Sequence, residues 1–429
     1  MGNIYLMESN SRLPSFGKDS NFLAGKKVAM LVSNSCESDA RVIKMAEAVR
    51  DMGATVKVFS IYRDRESVSP YQVVDGIHYQ RNHWQPMAEI KKYTKKIPKK
   101  LTPLIGVRIN KFAFGFTKYE EFKKLLLKDV IRFSPDIIHA HDLITLPLGE
   151  ASVIETGAKL IYDAHEYEIH RNPPLPLHMK KYVKYIEGRG IKNADFSITC
   201  GELIGEELRE LYGVNNMEII YNAPRISHLK GCDIKQQLKL DESTPLVVYV
   251  GKVTIGRGIE EIMPVINHMS NVHYACVGPC DEKIAKKMLN LAAKHGIENR
   301  FHLVPPVHFD NVVSFIKTAD LGIINIMPIT RSYYYAMPNK LFELGFARVP
   351  ILINDLAEAA PVVRNYNLGE VYDSKNPGNL AYFLTYMLKH KRDYTTDNIL
   401  YENFWRKYSW KTQEDKLKRI YEKLVYNDS

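Results

Sequence analysis

The chain has only five cysteines in 429 residues, Cys36, Cys200, Cys232, Cys276 and Cys280, an odd number without a Cys-x-x-Cys pair. That excludes a disulfide-stapled scaffold and a paired-cysteine zinc site, and the thiols read as reduced. No stretch approaches the roughly 20 uninterrupted apolar residues of a membrane span. The polar start MGNIYLMESNSRLPSFGKDSN has no apolar core of a secretory signal. Integral insertion and export are therefore not expected, and a cytoplasmic location is. Walker A and Asp-x-Asp sequences are also missing. Neither P-loop chemistry nor a carboxylate pair carrying a divalent ion onto a diphosphate is expected, and no metal or cofactor is implied.

What is present is ordinary globular composition, 45% hydrophobic and 25% charged, on a length that suits two or three domains. The net charge of +10 is local. Residues 81–128 hold thirteen Lys/Arg against three acids, which accounts for the whole excess and leaves the remaining chain balanced. Three readings of this basic segment stand side by side: a membrane-surface patch, a solvated face and an RNA-binding strip. Without an RNA-reading motif the last is the weakest, so nucleic acid is not an expected partner.

From Lys26 onward, β-rich runs alternate with helical periodicity, the signature of βα units on parallel sheets. KVAMLVS (27–33), VKVFS (56–60), PDIIHAH (135–141), KLIYDAH (159–165), ADFSITC (194–200) and MEIIYNAP (217–224) predict the first set of strands. Val42, Met45, Ala46, Val49 and Met52 predict a helix after the first of them. A charged, aperiodic stretch from about Pro224 to Pro245 reads as a linker. PLVVYV (245–250), HYACVG (273–278), FHLVPP (301–306), LGIINI (321–326) and VPILIN (349–354) then predict a second set. Ile259, Ile262, Met263 and Ile266 mark a helix that Pro264 should kink or stop early. The division is a polar extension 1–25, a first domain 26–224, a second domain 225–400 and a terminal helix 401–429 packing across both. Two doubly wound sheets would face a cleft at the carboxyl ends of their strands, where ligands bind in such folds.

Candidate chemistry falls just after strands. In VGKVTIGRGIEEI, Gly251 and Lys252 end a strand and Arg257 precedes the expected helix, a cradle suited to a diphosphate. In PNKLFE, Pro338 suits a first helical turn and would leave the N–H groups of Asn339, Lys340 and Leu341 facing an anion. Glu343, one turn in, could accept from the vicinal hydroxyls of a ribose. His139, His141 and His165 end strands in the first half, beside Asp142 and Asp163; a two-histidine, one-carboxylate metal site is weighed here against structural histidines and set below them.

In this order and spacing, DARVIKMAEAVRDMG, IIHAHD, YDAHEYE, IIYNAP, YVGKVTIGRGIEE, PNKLFE and YSWKTQEDKLKRIYEKL resemble the retaining GT-B glycosyltransferases of family four, group 1. The resemblance implies an α/β fold of two Rossmann-like doubly wound domains facing a central cleft, with a C-terminal helix crossing back. It implies that Lys252 and Arg257 hold the diphosphate of a nucleotide-sugar donor and that Glu343 binds the ribose. It places His165 near the transferred sugar, the backbone at Pro306 and Val307 near the base, and the loop Ser35–Arg41, with Asp39 and His141, on the acceptor side. The family's partner glutamate would fall at 335, where this chain has Tyr335, and Arg348 stands in place of a common glycine.

The implied activity is transfer of a hexosyl or N-acetylhexosaminyl group, with retention and without metal, to a hydroxyl of a glycan or lipid-linked acceptor in surface polysaccharide or glycoconjugate biosynthesis. A lipid-linked acceptor would give the basic segment an anionic membrane to meet at the inner face. The alternatives are a nucleotide-sugar epimerase of similar architecture and a non-catalytic nucleotide-sugar-binding or scaffold protein.

Overall fold

The computed structural model describes residues 21–63, 67–85, 107–226 and 232–426, with the side chains of 107–114 and 377 outside the description. Residues 86–106 of the basic segment, with Lys91, Lys92, Lys95, Lys96, Lys99 and Lys100, and nearly all of the expected N-terminal extension lie outside the described residues.

The first domain is built on an eight-stranded sheet, with β1 (Lys27–Leu31), β2 (Thr55–Tyr62), β3 (Tyr71–Val74), β4 (Ile77–His83), β5 (Ile137–His141), β6 (Lys159–Ala164), β7 (Phe196–Thr199) and β8 (Met217–Ile219) in the spatial order β3-β4-β2-β1-β5-β6-β7-β8. All neighbours are parallel except the β3–β4 pair. The central strands are apolar almost throughout because helices cover both faces. One layer carries α1 (Ala40–Asp51); the other carries α2 (Val107–Phe133), α3 (Leu146–Thr156) and α4 (Leu177–Asn193). The β3–β4 hairpin was not expected. Its turn, Asp75-Gly76, has positive φ at both residues, 48° and 79°, the two-residue geometry that Asp-Gly favours between strands.

After α5 (Glu202–Tyr212) and β8, the chain reaches the expected linker. Part of it is ordered as α6 (Ile234–Leu238), started by Asp233 and Gln236 bonding each other's backbone N–H in a capping box. The second domain is a parallel six-stranded sheet. It uses β9 (Leu246–Val250), β10 (His273–Val277), β11 (Phe301–Val304), β12 (Leu321–Ile324), β13 (Ile351–Asn354) and β14 (Gly369–Tyr372) in the order β11-β10-β9-β12-β13-β14. Strand β14 was not foreseen. The helix expected from Ile259 begins only at Met263 as the short α7 (Met263–Asn267), with Pro264 in its first turn. Proline belongs there, where its missing N–H costs no bond. Arg257 therefore sits on a loop and has no helix end directly after it.

The remaining helices are α8 (Glu282–Lys294), α9 (Val312–Ile316), α10 (Arg331–Tyr334), α11 (Asn339–Phe346), α12 (Ala359–Asn365) and α13 (Pro377–His390). Arg348, in the glycine's place, has φ 56°, the left-handed conformation a glycine adopts without strain; its guanidinium lies 3.9 Å from the Tyr401 ring centroid and donates to Asn398.

The element that crosses back is two helices. Helix α14 (Asn398–Tyr408) buries Phe404 and Tyr408 in the second domain's core, and α15 (Trp410–Tyr426) buries Trp410, Leu417, Ile420 and Tyr421 against α1 and the first sheet. The break is Ser409, whose ψ of 151° is extended. Gln413, fully buried, ties this crossing to the other one by accepting from the Tyr221 N–H at 3.1 Å. Among the described residues no helix is long and apolar enough to cross a membrane.

Candidate functional site

In each sheet the first strand lies between neighbours whose connections run to opposite sides, β2 and β5 around β1, β10 and β12 around β9. The carboxyl ends of β1 and β9 are thus the two switch points. A cleft of about 890 Å³ opens between their loops. Glu37, Ser38, Ala40 and Glu166 line it from the first domain. From the second come Gly251, Lys252, Arg257, Val307, Asn339, Lys340 and Glu343.

The second-domain wall depends on close backbone approach. Gly278 (φ 148°) lies against the end of β9, and a Cβ there would stand 2.2 Å from the Gly251 carbonyl oxygen. The Lys340 ammonium sits 3.6 Å from the Tyr249 ring centroid. Burial lowers its pKa to about 7, against the opposing pull of Glu343, while burial raises Glu343 to about 7 against the pull of Lys340 and Lys44. Both groups hold their charge weakly at this burial, and both would gain from a partner: an anion at Lys340, hydroxyl donors at Glu343. Lys44, from α1, is buried at the junction of the domains. Its ammonium donates to Asn222 Oδ1 at 3.0 Å and to the Ala223 carbonyl, and lies 4.7 Å from the Trp410 ring centroid.

The first-domain wall is organised by Asp163. Arg41 donates to both its oxygens, Nε at 2.8 Å and a terminal nitrogen at 2.7 Å. His141 Nδ1 lies 3.1 Å and His165 Nε2 3.0 Å from the same carboxylate. Although burial opposes ionisation, the Arg41 charge and the histidine contacts hold Asp163 well below the usual carboxylate range. Burial pulls His165 down too, but Asp142, 3.4 Å from its Nδ1, and Asp163 together push it up to about 9. At neutral pH His165 is an imidazolium held between two carboxylates. Burial drives His139 and His141 the other way, and both are neutral.

His139, His141 and Asp163 offer atoms within 4.8 Å of one another. The two rings stack, however, with centroids 4.3 Å apart and planes 15° from parallel. In-plane lone pairs on such rings run side by side and do not converge on one cation, and both Asp163 oxygens already accept from Arg41.

Seven expected donor-side residues thus line the cleft: Gly251, Lys252, Arg257, Val307, Asn339, Lys340 and Glu343. Leu341 does not. Its side chain is fully buried and its N–H donates to the Pro338 carbonyl at 2.9 Å, because the first turn of α11 closes on its own cap. Tyr335 does not either; its hydroxyl donates across the domain boundary to Glu207 at 3.0 Å, a carboxylate that also accepts from Arg331 and Tyr167. On the acceptor side, the loop after β1 faces the cleft through Glu37, Ser38 and Ala40 in place of the named residues. Ser35 gives its carbonyl to Arg81, Asp39 caps α1, Arg41 is buried on Asp163, and His141 is buried behind His165. Tyr249 and Glu166 were missed. The first is hidden in an apolar strand run, while Glu166, directly after His165, was open to inspection.

Two family profiles match the chain, one described as Glycosyltransferase Family 4 over residues 40–224 and one as Glycosyl transferases group 1 over residues 232–403. The chain belongs to the family 4, group 1 glycosyltransferases. Its fold is GT-B. Sucrose-phosphate synthase from Thermosynechococcus elongatus superposes with a TM-score of 0.72 at 14% identity, covering 93% of this chain and 99% of that one. HepE of Anabaena, in complex with UDP-glucose, gives 0.65 at 13% identity over 92% and 99%. WaaG, a glycosyltransferase involved in lipopolysaccharide biosynthesis, gives 0.62 at 14% identity over 92% and 99%. At these identities the likeness is one of fold. A search of curated proteins gives no match.

Proposed function

We propose that this glycosyltransferase moves a hexosyl or N-acetylhexosaminyl group from a nucleotide-diphosphate sugar to a hydroxyl of a glycan or lipid-linked acceptor, with retention and without metal, in the assembly of a surface polysaccharide or glycoconjugate. The observation that carries it is the convergence of Lys252, Arg257, Lys340 and Glu343 on one interdomain cleft at the switch points. Three cations suit a diphosphate, and Glu343 suits the vicinal hydroxyls of a ribose. The UDP-glucose bound by HepE supports a donor of this class.

In this reading Lys252 and Arg257 stabilise the negative charge that develops on the departing diphosphate. On the same reading His165, directly before Glu166 of the facing wall, lies near the transferred sugar, with its two ring nitrogens held by Asp142 and Asp163. The acceptor hydroxyl, in this reading, attacks from the side the diphosphate leaves, which gives retention. Work at the cytoplasmic face of a membrane, with the basic segment against anionic headgroups, follows from a lipid-linked acceptor.

A thermal-shift screen of nucleoside diphosphates and their sugars tests the donor; a ligand at 100 times its Kd adds about 2.7 kcal/mol. Glu343→Ala and Lys252→Ala should abolish the shift. Turnover only with added acceptor supports transfer, free altered sugar without acceptor would point to an epimerase, and binding without turnover to a scaffold.

A further inference from the structure

The donor cleft has a smaller neighbour. A cavity of about 270 Å³ opens in the first domain, walled by Trp84 and Tyr119 and bordered by Arg63, Lys118 and Arg171. Among the described residues Glu166 is the one that lines both cavities. Any group passing from a donor in the larger to an acceptor in the smaller passes this carboxylate, which has no hydrogen bond or ion pair among the described residues.

Three cations, Arg63, Lys118 and Arg171, and three carboxylates, Asp142, Glu166 and Glu168, line the smaller cavity, so its charges balance in number but are not all paired with one another. Asp142 is engaged with His165 at 3.4 Å and Glu168 with Arg171 at 3.2 Å. Lys118, half-buried with its ammonium 4.6 Å from the Tyr119 ring centroid, has no carboxylate within 4.0 Å among the described residues. Burial lowers its pKa, so an anion beside it would restore a charge the cavity now disfavours.

We propose that the smaller cavity is the acceptor subsite, that it takes a sugar unit bearing an anionic substituent, a carboxylate or a phosphate monoester, within reach of Lys118, and that Glu166 contacts both substrates. This rests on the glycosyltransferase reading and names the acceptor class for it.

The test is saturation-transfer NMR on the full chain, holding the nucleoside diphosphate that stabilises it most, with glucose, glucuronate and glucose 1-phosphate as probes. At least one anionic probe should bind about tenfold more tightly than glucose. A preference for glucuronate alone assigns the carboxylate, and for glucose 1-phosphate alone the phosphate. Lys118→Met should erase the preference and Lys118→Arg should retain it, with nucleotide binding unchanged in both as proof of folding. In turnover assays Glu166→Gln should lower kcat while nucleotide affinity stays within about twofold. Equal binding of glucose and both anions, a preference that survives Lys118→Met, or a Glu166→Gln variant with unchanged kcat overturns the proposal. Failure of every nucleoside diphosphate to bind would instead overturn the glycosyltransferase reading beneath it.

Discussion

Asp163→Asn is the sharpest test of how the first-domain wall is held. The carboxylate is fully buried, and so nearly is Arg41, at 0% and 5% side-chain exposure. Both Asp163 oxygens accept from that guanidinium, with His141 and His165 on the same group. An amide keeps the shape but turns one acceptor into a donor facing two cations, leaving Arg41 buried without its counter-charge. Losing one partner of such a pair costs about 3–5 kcal/mol, which at urea slopes of about 1–3 kcal/mol per M lowers the midpoint by roughly 1–5 M. Removing both charges together, Arg41→Met with Asp163→Leu, should cost less than Asp163→Asn alone, since no unpaired charge remains. The pH dependence follows from the same contacts. Asp163, depressed in the folded state, contributes stability that is present above the ordinary carboxylate range and lost as pH falls through its folded pKa. His165, raised from 6.5 to about 9, contributes stability that is full below pH 6.5 and lost as pH rises through about 9. Asp163→Asn should shrink that alkaline loss, leaving what Asp142 still supplies. Urea titrations from about pH 2 to 10 and histidine NMR measure both effects. A midpoint for Asp163→Asn within 0.3 M of the parent, a double variant worse than the single one, or a His165 that titrates at or below pH 6.5 would refute the reasoning.

Gly278→Ala should destabilise the second domain by about 1–3 kcal/mol or more, because its Cβ would meet the Gly251 backbone. Gly157→Ala, with φ 70° and nothing within 4 Å, should cost only about 1 kcal/mol; calorimetry on the two variants distinguishes steric conflict from conformational preference. Glu187 is buried beneath the hydroxyls of Tyr162 and Tyr212, each at 2.8 Å, and burial raises it to about 7. Its folded form binds the proton more tightly, so its effect is to lower stability as pH rises from about 4.5 to 7. Glu187→Gln should therefore gain on the parent between pH 5 and pH 8, and equal pH profiles would contradict this. Tyr335→Phe should leave turnover within about threefold, whereas Tyr335→Glu, setting a second carboxylate against Glu207, should reduce it; equal rates would mean that this interdomain contact does not influence turnover.

The strands were legible because a sheet covered on both faces writes itself as apolar runs, and eleven such runs fall on strands of the structure. The hairpin Tyr71–His83 went unread although Asp75-Gly76 marks its turn, because its edge strand β3 is exposed at every residue and has no apolar run to announce it. At the site, glycine, cation and carboxylate positions after β9 and at α11 were readable since each depends on local chain direction. Arg41 and His141 were misplaced for the opposite reason. Arg41 meets Asp163 across 122 residues of sequence, and periodicity shows which face a side chain takes without showing what waits there. Leu341 failed on a single bond, the closing of α11 onto Pro338.

The break at Ser409 also bears on how the molecule is made. Helix α15 is synthesised after the whole second domain, yet Trp410, Leu417, Ile420 and Tyr421 complete the core of the first domain, and the Tyr421 hydroxyl bonds His139 at 3.0 Å behind the histidine cluster. A first domain emerging from the ribosome lacks these four side chains, each worth about 1.5–3 kcal/mol of burial, and exposes Val42, Met45 and their neighbours meanwhile. The second domain must be threaded before the first is finished. Expression of residues 21–226 alone is thereby an expression of an incomplete core, and the wall around His165 matures only once α15 has been made.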